Sequence, residues 1–214
     1  MIKAAILDMD GTMLDTEKIY MKFWIEAAKY YGYDMKPEHV LEIRSLASVY
    51  AKEKFKKFFG EMCDYQKIRE KRKQLMEPYF QQHGIEKKEG LDEFLNHLKN
   101  KGYKICVATA TDIERTSKYL RELEIDKYFD EIVCANMVKC GKPNPDIYLE
   151  AVRRLGLEPD ECIAIEDAPN GVLSASRAGC KVIMVPDLDE PSTEISKLLY
   201  AKVSNLKEAC KYFV

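Results

Sequence analysis

No stretch of this 214-residue sequence is apolar for long enough to cross a membrane, and its first residues lack the charged-then-apolar pattern of a secretory leader. Neither membrane insertion nor secretion is expected. Charge of one sign is also missing. The chain sets 34 Lys and Arg against 36 Asp and Glu, which leaves no overall basic footprint for nucleic acid. The seven cysteines never form Cys-x-x-Cys, and their number is odd. Cys106 and Cys162 sit inside apolar runs, so buried reduced thiols in a cytoplasmic protein are expected ahead of a disulfide framework or a zinc site. Internal repeats and low-complexity segments are absent as well. What is there is 46% hydrophobic and 33% charged residues, the balance of a globular chain with a true core.

The pattern of apolar residues changes twice along the chain. Ile6-Leu7 begins as a strand, and from about Thr16 to Lys88 helical spacing takes over. Ile19, Phe23, Ala27 and Tyr30 fall on one stripe, and Val49, Phe55, Phe58 and Phe59 on another. From Gly90 onward helices and short apolar strands alternate. Strands are expected at 103–109, 132–135, 162–165, 181–185 and 201–203, with helices at 91–101, 114–123, 145–155 and 170–178 and a short one at the C-terminus. This alternation predicts an α/β fold with a doubly wound parallel sheet. The expected organisation is a Rossmann-like core of residues 1–15 and 89–214, with a helical cap of residues 16–88 inserted after the first strand. The cap segment carries 16 basic and 11 acidic residues, against 18 and 25 elsewhere. The runs Lys52 to Lys57 and Lys67 to Lys73 are expected to be solvated helix faces, with a lesser role in drawing in an anionic substrate.

Four polar segments interrupt apolar strands or precede helices. Asp8-Met9-Asp10-Gly11-Thr12 puts two carboxylates at the end of a buried strand, where they are costly unless they face a solvated site. Turns use Asp-x-Asp-Gly too. The calcium-loop spacing fails, because Gly11 follows Asp10 directly and no glutamate stands at the required distance. Downstream, Thr109 ends an apolar strand, Lys142 stands in a proline-bounded loop, and Glu166-Asp167 ends another strand. Each has a bland alternative: helix cap, surface lysine or cap again. Together in one parallel sheet they describe a single site. Carboxylates from two strand ends suit Mg²⁺, while a hydroxyl and a lysine can bind phosphoryl oxygens. One aspartate can attack phosphorus and the other can shuttle the leaving-group proton, which is phosphoryl-transfer chemistry.

Asp8-Met9-Asp10-Gly11-Thr12, Thr109, Lys142 and Glu166-Asp167 resemble the four ordered motifs of the haloacid dehalogenase superfamily, across nearly the whole chain. The resemblance implies that Asp8 is the nucleophile and Asp10 the general acid/base, with Thr109 and Lys142 holding the phosphoryl group. It also implies Mg²⁺ bound by the Asp8 side chain, the Asp10 backbone carbonyl, Asp167 and Glu166, the last either directly or from behind the ligands. Residues 16–88 resemble the family's small helical cap, with Asp15-Thr16-Glu17 at the hinge.

The second aspartate, Asp10, disfavours carbon–halogen chemistry, and no cap lysine is marked out for a phosphonatase Schiff base. The chain is most similar to the β-phosphoglucomutase-like branch. Tyr20 stands where that mutase has a histidine, and Ser45 and Ser48 stand where a glycine and a substrate-binding arginine are expected. These departures favour a phosphatase over a mutase. Glu166 to Val172 and Val182 to Asp187 resemble the pseudouridine 5′-phosphatase group. Trp24, Phe55 and Phe58 are expected in cap packing, and Tyr20 and Arg44 are the candidate substrate contacts. The expected activity is Mg²⁺-dependent hydrolysis of a small phosphate monoester, a sugar or nucleotide-like phosphate, by a monomer with no nucleic-acid or membrane partner. A mutase and a noncatalytic phospho-ligand binder are the alternatives.

Overall fold

Successive side chains of a strand face opposite sides of its sheet, and both sides are apolar here. In β1 (Ala4–Leu7), Ala4 and Ile6 enter one apolar cluster while Ala5 and Leu7 enter another. The computed structural model describes residues 1–214. After β1 come four helices in succession: α1 (Glu17–Tyr30), α2 (Pro37–Ile43), α3 (Ser48–Phe59) and α4 (Tyr65–His83). Alternation then begins with α5 (Leu91–Asn100), β2 (Lys104–Thr109), α6 (Ile113–Glu122) and β3 (Glu131–Cys134). It continues with α7 (Asp146–Leu155), β4 (Cys162–Glu166), α8 (Pro169–Arg177) and β5 (Lys181–Met184). The chain closes with α9 (Thr193–Ser196), β6 (Ala201–Lys202) and α10 (Leu206–Ala209).

The six strands form one parallel sheet in the order β3-β2-β1-β4-β5-β6. In register, Leu7 lies between Val107 and Ile165. Leu95 and Leu98 of α5, Leu120 of α6 and Leu206 of α10 cover the Ala5 and Leu7 face. Ile147 and Tyr148 of α7 and Val172 of α8 cover the other. Each such Leu or Ile contributes about 1.5–3 kcal/mol by leaving water. The doubly wound sheet is the one expected, with strand ends shifted by a residue. The unexpected short helix α9 is capped by the Ser192 hydroxyl, which accepts from the Ile195 amide at 3.3 Å.

The four early helices build a cluster of their own, separate from both sheet faces, around Phe23, Trp24, Ala27, Phe55, Ile68 and Met76. At its base the chain leaves and returns side by side. The Asp15 amide donates to Glu86 at 2.9 Å and the Lys88 amide to Met13 at 2.8 Å. Two members of the expected stripes do not pack there. Tyr30, the last residue of α1, is 66% exposed beneath the Lys71 ammonium, and Val49, in the first turn of α3, is 62% exposed. Both lie at helix ends, where the side chain meets solvent and not the apolar cluster. The Lys67 to Lys73 run is likewise not a uniform solvated face, because Arg72 is buried on the stripe of Tyr65, Ile68 and Met76. No helix is long and apolar enough to cross a membrane.

Candidate active site

The strand order reverses around β1. The chain runs from β1 outward through β2 and β3, then crosses back to place β4 on the other side. The carboxyl ends of β1 and β4 therefore flank the crevice in which open α/β sheets bind ligands. Asp8 follows β1 directly, and its amide donates to Ile165 at 3.0 Å, so the sheet fixes its position. Glu166 closes β4 and Asp167 comes next, while Thr109 closes β2. Lys142 arrives from the loop between β3 and α7.

Asp8, Glu166 and Asp167 bring one carboxylate oxygen each within 4.8 Å of one another, all buried. The fully buried Lys142 reaches Asp8 at 2.5 Å and Glu166 at 2.6 Å. Burial works against its charge, but the two carboxylates outweigh burial and hold it above the ordinary lysine range. The Tyr148 hydroxyl also donates to Glu166 Oε1, which leaves Glu166 Oε2 buried without a partner. Two glycines make room for these acids. A Cβ on Gly11, whose φ is +85°, would run into Asp167, and one on Gly171 would run into Glu166.

Asp10 stands apart from the acidic cluster. The Thr16 hydroxyl donates to its Oδ1 at 2.8 Å and the Thr111 hydroxyl to its Oδ2 at 2.7 Å. The Thr109 hydroxyl accepts from the Thr111 amide at 3.1 Å. Asp8, Asp10, Thr109 and Thr111 line one small pocket of about 100 Å³, closed from the helical side by Tyr20, Trp24 and Arg44. The Tyr20 hydroxyl is buried and unpartnered there.

Arg44 makes contacts that its position in the sequence did not foretell. Its guanidinium donates to Asp167 and to Asp189, and its Nε lies 3.7 Å from Glu17. Thr12 donates to Asp167 at 3.2 Å. Burial pushes the Asp167 carboxyl up to about 7, with Arg44 pulling the other way. Glu17 is raised by burial as well. Next to Arg44, Ser45 adopts φ +57°, the left-handed conformation glycine favours, at the place where a glycine is expected.

The pocket thus gathers Asp8, Asp10, Thr109, Tyr20 and Arg44, with Lys142, Glu166 and Asp167 packed against Asp8. Sequence reading missed several neighbours. Thr16 and Glu17 were expected only at the hinge, and Thr111, two residues beyond Thr109, reads as an ordinary capping residue. Tyr148 gave no signal at all, since an aromatic on an apolar helical stripe reads as core. Trp24 packs in the helical cluster as expected and also lines the pocket.

The donor set fits a divalent cation. Three buried carboxylates, one oxygen of which has no partner, are hard ligands that Lys142 and Arg44 do not satisfy fully. Comparison with known proteins shows the family and the fold. The family model described as haloacid dehalogenase-like hydrolase matches residues 5–185. The phosphorylated carbohydrates phosphatase of Thermotoga maritima is 30% identical over 200 residues, 85% of this chain and 84% of that protein. Hexitol phosphatase A of Escherichia coli is 32% identical over 192 residues, 86% of this chain and 82% of its own. The β-phosphoglucomutase crystal structure from Clostridium difficile superimposes with a TM-score of 0.81 at 24% identity, covering 97% of this chain and 93% of that one, a likeness of fold.

Proposed function

The chain belongs to the haloacid dehalogenase-like hydrolases, and from that premise we propose that it is a Mg²⁺-dependent phosphatase of small phosphate monoesters that works through a phospho-aspartate at Asp8. The observation that carries the reading is the placing of Asp8 and Asp10 on one pocket wall with different partners. Asp8 is matched by Lys142 at 2.5 Å, while both Asp10 oxygens are held by threonine hydroxyls. The relatives named as phosphatases support the same class.

Asp8, Asp167, the backbone carbonyl of Asp10 and Glu166 would hold the cation. When bound it offsets charge on the phosphoryl oxygens and aligns them with Asp8. An Asp8 oxygen forms a bond to phosphorus as the ester P–O bond breaks, and Asp10 gives its proton to the departing alcohol oxygen. Asp10 then takes a proton from water as the water oxygen attacks phosphorus. The Asp8–phosphorus bond breaks, which restores the carboxylate and releases phosphate. Thr16 and Thr111 aim Asp10 in both steps. Lys142 and Thr109 bind the phosphoryl oxygens in this scheme. Residues 16–88 act as the cap that shields the site from bulk water, which restricts it to small substrates.

The test is phosphate release from a panel of sugar phosphates, nucleotides, pseudouridine 5′-phosphate and β-glucose 1-phosphate, each with Mg²⁺ and with chelator. Chelator-sensitive release supports the phosphatase. Conversion of β-glucose 1-phosphate to the 6-phosphate without release would replace it by a mutase. Binding without turnover would replace it by a phospho-ligand binding protein.

A further inference from the structure

Three arginines on the pocket wall have no acidic partner. Arg69 and Arg72 come from α4 and Arg115 from α6, and none belongs to the four strand-end segments. Arg72 is only 7% exposed. Its guanidinium lies 4.4 Å from the ring centre of Trp24 and 5.0 Å from that of Tyr20, and its Nε has no hydrogen-bond partner. Aromatic faces return less to a cation than desolvation takes from it. Burial and the neighbouring Arg115 and Arg69 charges hold Arg72 below the ordinary arginine range.

The acid on this wall is already engaged. Asp112 accepts from the Arg115 amide at 3.0 Å as the cap of α6, and its other oxygen faces Lys73 at 3.9 Å. Arg44, in the same pocket, shows the opposite arrangement, with three carboxylates around one guanidinium. Lys118 of α6 pairs with Glu77 of α4, and Arg44 is balanced beside Asp167, whereas Arg69, Arg72 and Arg115 on the pocket wall meet no carboxylate at ion-pair distance. A buried guanidinium without a counter-ion is a fork of donors shaped for carboxylate or phosphate oxygens.

We propose that Arg69, Arg72 and Arg115 form a second anion site, so that the preferred substrates are small phosphate monoesters bearing a further phosphate or carboxylate group remote from the reacting phosphorus. The inference rests on the phosphatase reading for which end of the molecule reacts, but not for the binding itself.

Trp24 is the sole tryptophan of the chain and lies under Arg72, so its fluorescence reports occupancy without catalysis. Metal-free protein is titrated with glycerol 3-phosphate, 3-phosphoglycerate and a hexose 1,6-bisphosphate. The two probes that carry a second anionic group should bind about tenfold more tightly than glycerol 3-phosphate, the worth of one charge-assisted contact. Arg72→Gln and Arg69→Gln should erase that ratio, and Arg72→Lys should restore part of it. Equal affinity of all three probes in the parent protein would overturn the second site, as would a preference that survives in both glutamine variants. A preference for the bisphosphate alone would assign the site to phosphate, and a shared preference to anionic oxygens of either kind. Phosphate release from p-nitrophenyl phosphate, measured in parallel, judges the phosphatase reading independently.

Discussion

Asp8 shares the Lys142 ammonium with Glu166, whereas Asp10 is held by two neutral hydroxyls. Their substitutions should therefore fail differently. Asp8→Asn should lower turnover by ~10³-fold or more while the circular dichroism spectrum stays native, since an amide cannot attack phosphorus. Near-normal Mg²⁺-dependent turnover in that variant would sink the nucleophile assignment. Asp10→Asn should slow both halves of the reaction by ~10²–10⁴-fold, the worth of a positioned proton donor, read by rapid quench of phospho-enzyme formation and decay. Arg44 calls for a stability measurement. Arg44→Met would leave Glu17 and Asp167 buried without their cation and should cost about 3–5 kcal/mol in urea unfolding. Equal stability of the variant and the parent would show that the ion cluster contributes nothing. The acids of this site were visible in the sequence because paired carboxylates at the end of an apolar strand have few other uses. The partners of Arg44 were not, since Asp167 and Asp189 lie more than a hundred positions away.

At the scale of the element, α4 best separates pattern from placement. Tyr65, Ile68, Arg72 and Met76 share one stripe at helical spacing, and all are buried. A basic run read residue by residue suggests solvent; read at 3.6 residues per turn it puts Arg72 among apolar neighbours. The helical spacing was in the sequence, while the rings of Tyr20 and Trp24 that receive the guanidinium come from α1. Phe55 of α3 anchors the same block, fully buried against Trp24 at 5.4 Å and Tyr65 at 5.0 Å between ring centres. Phe55→Ala should cost about 3–5 kcal/mol. Because the cluster of α1 to α4 is separate from the sheet faces, hydrogen exchange should quicken in those helices while β1 and β4 amides keep their protection. Equal loss across the sheet would show that the two regions unfold as one.

For the molecule as a whole, stability comes from burial on two sheet faces and in the helical cluster, with no covalent staple. All seven cysteines are free, and five of them are buried. Burial pushes the thiols of Cys162 and Cys180 up to about 12, which keeps them protonated and inert. Reductant should leave the melting temperature unchanged, and a thiol reagent should label Cys140 and Cys210 before the rest. A melting temperature that falls in reductant would reveal a disulfide and contradict this packing. The excess of basic residues in 16–88 over the acidic remainder also acts at this scale. It shows in the pocket, which Arg69 and Arg72 of α4 line together with Asp8 and Asp10.

The sequence by itself determined the parallel α/β fold, the four polar segments and the family, because local periodicity and strand-end chemistry are written in neighbouring residues. Tertiary structure alone decided which cation meets which acid: Arg44 lies on Asp167, Lys142 between Asp8 and Glu166, and Arg72 on aromatic rings. The reason is physical. A charge's partner is set by distance in space and by loss of water, and neither exists until α4, the Lys142 loop and the strand ends have packed together.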